Sequence, residues 1–137
     1  MKRRIAIVDD EENIGRSLRL VLEREGYQVT VCRSAGEFRA WNGPADAYLI
    51  DVKLPDASGI DLLRALREAD NPAPVVMISG QATIADAVEA TRLGAYDFLE
   101  KPLGRDKVLL TLKNAVEHTA LREENRDRKS TRLNSSH

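Results

Sequence analysis

Acidic residues stand directly behind two apolar runs of the chain, at positions where a β-strand would end. Asp9 and Asp10 follow the run Ile5 to Val8, and Asp51 follows the run Tyr48 to Ile50. Clustered carboxylates are the ligands that a hard cation such as Mg²⁺ prefers. A carboxylate can also attack a phosphoryl group and form an aspartyl phosphate. The residue types therefore favour magnesium binding and phosphoryl transfer at these strand ends.

A hydroxyl and an ammonium group follow two later apolar runs. Ser79 comes after Val75 to Ile78, and Lys101 comes soon after Phe98 to Leu99. In phosphoryl transfer a cation must neutralise charge on the transferring oxygens, and a hydroxyl can donate a hydrogen bond to one of them. If these strand ends meet in one cleft, every part required for phosphoryl chemistry at Asp51 has a candidate.

The elements that must position these groups alternate along the chain. Five apolar runs recur, and segments with helical spacing separate them, which is typical of βαβ units and a parallel sheet. The runs Val29 to Cys32 and Phe98 to Leu99 have more polar neighbours, which suits edge strands. We therefore predict an α/β doubly wound (βα)5 fold with a five-stranded parallel sheet of order 2-1-3-4-5. Ligands of such sheets bind beyond the carboxyl ends of the strands.

Several helix boundaries are marked in the sequence. Ser34 and Glu37 predict a capping box at the start of the second helix. Ser58 precedes the third helix, which Asn71-Pro72 would end. The fourth helix, predicted over 84–93, is rich in alanine and short of large apolar residues. Such a helix is weakly anchored and is a candidate moving part.

Composition limits the class of protein. The chain has 137 residues, of which 42% are hydrophobic and 31% are charged, as expected for one soluble globular domain. No apolar run approaches the roughly 18 residues that a membrane span needs, and the first residues do not form a signal peptide. A single cysteine, Cys32, excludes an internal disulfide and is compatible with a reducing compartment. We therefore expect a cytoplasmic protein that does not bind membranes.

The last eleven residues, DRKSTRLNSSH over 127–137, are polar, aperiodic and unlike the preceding sequence. They resemble the translation of a widely used sequencing-library adapter; the alternative is a natural disordered tail. The whole chain has 21 basic and 22 acidic residues and a net charge of −1. Without the last eleven residues, 18 basic and 21 acidic residues give a net charge of −3. This acidic balance argues against nucleic-acid binding by the domain itself. We expect the gene product to continue beyond Arg126 into an output domain.

Four blocks of sequence carry a family resemblance. IAIVDDE, LIDVKLPDASGIDLL, VVMISGQ and GAYDFLEKP resemble the signatures of the bacterial two-component response-regulator receiver domain, of the CheY-like superfamily. The resemblance covers about residues 4–121 and implies a flavodoxin-like fold. We predict a receiver domain over 1–121 and the start of a helical linker over 122–126. It also implies phosphorylation by a sensor histidine kinase, so the domain is expected to be a signalling module rather than an enzyme.

The resemblance implies the following metal and phosphoacceptor residues. Asp51 would accept the phosphoryl group, and Asp10 would be a direct Mg²⁺ ligand. Asp9 would lie beside it as an indirect ligand. The backbone carbonyl of Lys53 would be a further ligand.

The resemblance also implies a switch. Lys101 would pair with the phosphoryl group, and its peptide bond to Pro102 would be cis. Ser79 would follow the phosphoryl group and draw its loop inward, and Phe98 would rotate inward as Ser79 moves. The face formed by the fourth helix, fifth strand and fifth helix would then form a homodimer or contact an output domain.

A finer resemblance concerns the last third of the chain. SGQATIADAVEATRLGAYDFLEKPL is similar to receivers of the NtrC type, whose next domain is an AAA+ ATPase that activates sigma-54-dependent transcription. The alternative is a stand-alone receiver that acts through protein–protein contacts.

Other interpretations compete with this one. A phosphohydrolase of the haloacid-dehalogenase type needs a second aspartate two residues after the nucleophile, where this chain has Lys53. Nucleotide enzymes are disfavoured because no GxGxxG follows the first strand. Taken singly, Asp9 to Glu12 could favour a helix N-terminus, Asp51 could belong to a turn, and Phe98 could be a core residue.

Overall fold

The computed structural model describes residues 2–81, 83–118 and 120. The predicted linker over 122–126 and the predicted foreign tail over 127–137 lie outside the described residues. No helix within the described ranges is long and apolar enough to cross a membrane.

In the part of the chain that the structure describes, five strands and five helices alternate as predicted. The strands are β1 Arg4–Val8, β2 Gln28–Cys32, β3 Ala47–Asp51, β4 Val75–Ser79 and β5 Asp97–Glu100. The helices are α1 Glu12–Arg24, α2 Ala35–Trp41, α3 Gly59–Glu68, α4 Ile84–Arg92 and α5 over 105–118. The strands form one sheet of order β2-β1-β3-β4-β5, and all neighbours pair in parallel. The predicted order 2-1-3-4-5 is confirmed.

Each face of the sheet carries its own apolar cluster because successive side chains of a strand point to opposite faces. In β1, Ala6 and Val8 belong to one cluster, which also contains Phe38 of α2 and residues of α3. Ile5 and Ile7 belong to the other cluster, to which α1 and α5 contribute. β1, β3 and β4 are buried almost throughout, whereas β2 and β5 have exposed residues, as predicted for edge strands.

The helix ends differ from prediction in two places. Ser34 accepts a hydrogen bond from Glu37 N, but the Glu37 carboxylate accepts from Arg33 N, so only half of the predicted capping box forms. A full capping box joins Thr83 and Asp86 at the start of α4. The third helix ends at Glu68, before the predicted Asn71-Pro72 stop.

α4 buries little of its surface, as the sequence predicted. Ala90 is its buried residue, while Ile84 and Val88 are 86% and 52% exposed. The C-terminal end of α4 is nevertheless held by Arg67 of α3. The guanidinium of Arg67 donates to four backbone carbonyls, those of Leu93 (3.2 Å), Gly94 (2.9 Å), Asn71 (2.8 Å) and Ala73 (3.1 Å).

We expect Arg67→Lys to lower the free energy of unfolding by about 2 kcal/mol, because a lysine cannot reproduce the planar set of donors. Urea denaturation measures this loss. The matched control is Arg64→Lys. Arg64 pairs with Asp61 and Glu89 at the surface with 42% of its side chain exposed, so its replacement should cost less than about 0.5 kcal/mol. Equal losses in the two variants would contradict a special role of Arg67.

Candidate functional site

The end of β1 delivers two carboxylates that differ in exposure. The N–H of Asp9 donates to the carbonyl of Cys32 at 3.0 Å, which extends the pairing of β1 with β2 by one residue. Asp9 is 1% exposed, and its Oδ1 accepts from Glu11 N at 2.8 Å. Asp10 is exposed and lines the cleft at the carboxyl ends of the strands.

Asp51 is the last residue of β3 rather than the residue after it, and only 4% of it is exposed. Its Oδ1 accepts from Lys53 N at 3.1 Å, and its Oδ2 accepts from Lys101 Nζ at 2.8 Å. A carboxylate oxygen can accept more than one hydrogen bond, so each oxygen keeps an electron pair for a further ligand or for nucleophilic attack.

Ser79 and Phe98 lie in different surroundings. Ser79 ends β4, is 3% exposed and lines the cleft; its Oγ accepts from Gln81 N at 3.1 Å. This bond uses the oxygen and leaves the hydroxyl proton free for another acceptor. Phe98 is half-buried in β5 and packs against the apolar cluster that contains Met77. Phe98 therefore contributes to the core, and its predicted switching role stays a prediction.

Lys101 is the cation of the site. Its peptide bond to Pro102 is cis, and its N–H donates to the carbonyl of Ser79 at 2.8 Å. Its Nζ donates to Asp51 Oδ2 at 2.8 Å and to Glu11 Oε1 at 2.7 Å, and lies 3.1 Å from Asp9 Oδ2. Three carboxylates therefore share one ammonium group.

The electrostatics follow from burial and from this sharing. Burial is the largest effect on Asp9, and the nearby charge of Asp51 acts in the same direction. The hydrogen bond from Glu11 N and the charge of Lys101 act in the opposite direction. The net result is that the pKa of Asp9 rises from 3.8 to about 6. Burial disfavours the charged form of Lys101. Its hydrogen bonds to Asp51 and Glu11 and its ion pair with Asp9 outweigh burial and raise the pKa of Lys101 above its ordinary value.

The donor set fits a hard divalent cation. Carboxylate oxygens of Asp9, Asp10 and Asp51 lie within 4.8 Å of one another. Asp9 Oδ2 is buried and accepts no hydrogen bond from the described residues; its contact with Lys101 is an ion pair without hydrogen-bond geometry. A cluster of carboxylates that exceeds its single neutralising ammonium group favours a second cation, and all-oxygen ligands suit Mg²⁺.

Glu11 is a contact that the sequence reasoning missed. Its side chain is 57% exposed, yet it makes the shortest bond to Lys101. The signal was available, because Glu11 directly follows Asp10 at the same strand end. Sequence position alone did not tell which of the neighbouring acidic side chains turns back toward the site.

Comparison with known proteins identifies the family of this site. The sequence matches the family described as the response regulator receiver domain over residues 5–113. The chain belongs to this family. Receiver domains are signalling modules of two-component systems, and an acidic pocket of the kind formed by Asp9, Asp10 and Asp51 is where they bind Mg²⁺.

Individual relatives agree with the receiver assignment. The chain is 36% identical over 130 residues to an NtrX-like response regulator of Rickettsia bellii, covering 92% of this chain and 27% of that protein. A receiver domain structure from Methanospirillum hungatei superposes with a TM-score of 0.86 and 31% identity, covering 89% of this chain and 99% of the other. The beryllofluoride-activated NtrC4 receiver domain dimer gives a TM-score of 0.79 and 35% identity, covering 84% of this chain and 97% of the other. The chain spans from about a quarter to just over half of the curated relatives it matches.

Proposed function

We propose that Asp51 accepts a phosphoryl group from the phosphohistidine of a sensor histidine kinase. Asp10, Asp51 and the backbone carbonyl of Lys53 would bind Mg²⁺ directly, with Asp9 behind them. The observation that carries this proposal is the 2.8 Å bond from Lys101 Nζ to Asp51 Oδ2 within an acidic cluster that one lysine cannot neutralise. In that arrangement the nucleophile Asp51 lies beside the ammonium group of Lys101, and phosphorylated Asp51 requires such a cation to neutralise its phosphoryl oxygens.

The residues of the chain have separate tasks in the transfer. An oxygen of Asp51 forms a bond to phosphorus as the bond from phosphorus to the donor nitrogen breaks, which leaves an acyl phosphate. Bound Mg²⁺ would supply charge neutralisation at the phosphoryl oxygens. Lys101 exchanges its carboxylate contacts for a phosphoryl oxygen, and Ser79 donates its free hydroxyl proton to another. The chemistry is limited to the domain's own phosphorylation and dephosphorylation.

The state of Asp51 would be read on the face formed by α4, β5 and α5. Four large apolar side chains in or next to these three elements are exposed: Ile84 (86%), Val88 (52%), Tyr96 (37%) and Leu110 (60%). The NtrC4 receiver is a dimer in its beryllofluoride-activated form, which supports the proposal that this face forms a homodimer. Inward movement of Ser79 and Phe98 would link the phosphoryl group to this face.

The proposed domain covers residues 1–121, followed by a linker from 122 and a foreign tail over 127–137. We propose that the natural protein continues into a sigma-54-dependent AAA+ activator, which similarity to an NtrX-like regulator supports. Its location would be the cytoplasm, where a sensor kinase presents its phosphohistidine. Sequencing the uninterrupted reading frame beyond Arg126 tests the output domain; an early stop codon would instead indicate a stand-alone receiver.

Phosphorylation itself is tested with acetyl phosphate. In the presence of Mg²⁺ we expect intact-protein mass spectrometry to show the addition of one phosphoryl group, because the buried carboxylate is placed for attack. EDTA should remove the labelling, since the acidic cluster would keep its unneutralised charge. Hydroxylamine should cleave the product, as it cleaves acyl phosphates but not phosphate esters. A wild-type protein that stays unmodified with Mg²⁺ present would contradict the proposal.

A further inference from the structure

The loop between β3 and α3, over residues 52–58, is closed by its own backbone. Three contacts close it: a bridge between Lys53 and Ser58, a bond from Leu54 N to the Ala57 carbonyl (3.2 Å), and a bond from Gly59 N to the Val52 carbonyl (2.7 Å). These contacts leave Pro55 and Asp56 at the tip of a compact loop. These backbone contacts connect the tip of the loop directly to its base.

Asp56 carries such a contact. Its Oδ1 accepts from Ala35 N at 2.9 Å, and its Oδ2 accepts from Gly36 N at 2.8 Å. These two N–H groups belong to the first turn of α2, where no helical carbonyl is available to them. The bonds to Ala35 and Gly36 hold the pKa of Asp56 below its usual value, so the carboxylate stays ionised and the contact is charge-assisted.

The first turn of α2 is a firm anchor for this contact. Ala35 is fully buried and Phe38 is 8% exposed, and both belong to the apolar cluster on that face of the sheet. Ser34 caps the same turn independently by accepting from Glu37 N at 3.1 Å. Asp56 therefore joins the loop to an element that is held by the core.

The base of the same loop borders the phosphorylation site. Lys53 N donates to Asp51 Oδ1 at 3.1 Å, so the loop orients one oxygen of the nucleophile. Lys53, Leu54 and Pro55 line the cleft, whereas Asp56 faces α2. The backbone at Lys53 lies between the site on one side and the Asp56 contact on the other.

We propose that Asp56 is a positioning residue for the metal and phosphoacceptor site. By tying the tip of the loop to α2, it fixes the backbone of Lys53 relative to Asp51, and thereby both the bond to Asp51 Oδ1 and the carbonyl that the cation requires. This inference rests on the proposed function, because it assigns Asp56 a part in Mg²⁺ binding at that site.

The experiment compares Mg²⁺ affinity, measured by isothermal titration calorimetry, with melting temperature in the full chain. We expect Asp56→Ala to weaken Mg²⁺ binding on the order of 10-fold, the size of effect seen when a residue that orients a metal ligand is removed. The matched control is Ser34→Ala, which removes the other cap of the same helix turn and has no described bond to the loop. It should lower the melting temperature similarly but leave Mg²⁺ affinity within about twofold of wild type.

Asp56→Asn keeps one acceptor oxygen and should give an intermediate affinity; it replaces Asp56→Ala in the comparison if that variant does not fold. Equal Mg²⁺ affinity in wild type and the Asp56 variants, or equal weakening in Ser34→Ala, would overturn the positioning role while leaving the proposed function intact. A wild-type protein that binds no Mg²⁺ and is not labelled by acetyl phosphate would overturn the proposed function and, with it, this inference.

Discussion

Asp51→Asn is expected to reduce labelling by acetyl phosphate to background. The amide keeps the size of the carboxylate and can still accept the bond from Lys53 N that Asp51 Oδ1 accepts at 3.1 Å. It is neutral, however, and is not a nucleophile toward phosphorus. The loss should therefore arise from chemistry rather than from misfolding, which near-unchanged circular dichroism would verify.

Asp70→Asn is the matched control for this substitution. Asp70 is exposed beyond the end of α3 and has a φ of 57°, a conformation that asparagine adopts readily. Its replacement removes one carboxylate of the same type far from the cleft, so labelling should equal that of wild type. If Asp51→Asn still gained a phosphoryl group, another carboxylate, with the exposed Asp10 as the first candidate, would be the acceptor.

Gly59→Ala is expected to destabilise the fold on the order of 3 kcal/mol or more. A Cβ at Gly59 would overlap the carbonyl oxygen of Asp51 and lie 2.8 Å from its carbonyl carbon and 2.9 Å from Ile50 Cγ2. Backbone atoms of a central strand cannot yield as a flexible side chain can. We expect a decrease in Tm on the order of 10 °C in a thermal melt.

Gly80→Ala is the control for the cost of adding one methyl group. Its Cβ would meet Lys101 Cδ at 3.7 Å, an ordinary van der Waals contact, so Tm should stay close to wild type. Gly59→Ala should also reduce labelling of Asp51, because relief of the overlap shifts the end of β3. A Gly59→Ala protein with the Tm of Gly80→Ala would show that the strand end adapts easily.

Asp51→Asn and Gly59→Ala both change the end of β3, one through its chemistry and the other through its packing. Asp51 ends a buried strand with a reactive group, and the chain must turn at once so that Gly59 N can donate to the Val52 carbonyl at 2.7 Å. The absence of a side chain at Gly59 lets α3 begin against the strand end. The close approach of Gly59 to the end of β3 therefore matters both for the stability of the fold and for the placement of Asp51.

The sequence by itself determined the fold class and the set of groups at the strand ends. Strand and helix periodicities are local properties, and a parallel sheet brings the carboxyl ends of its strands to one edge. The more polar β2 and β5 indicated the edges, which is the pattern of the doubly wound order 2-1-3-4-5. The candidate residues could be named because each ends an apolar run or follows one within two positions: Asp9, Asp10, Asp51, Ser79 and Lys101.

Only the tertiary structure decided how these groups are paired. Lys101 reaches Glu11, 90 residues away in the chain, and Asp56 reaches Ala35, 21 residues away. Side-chain pairing of this kind depends on the distances that packing sets between separate elements, and no local pattern encodes those distances.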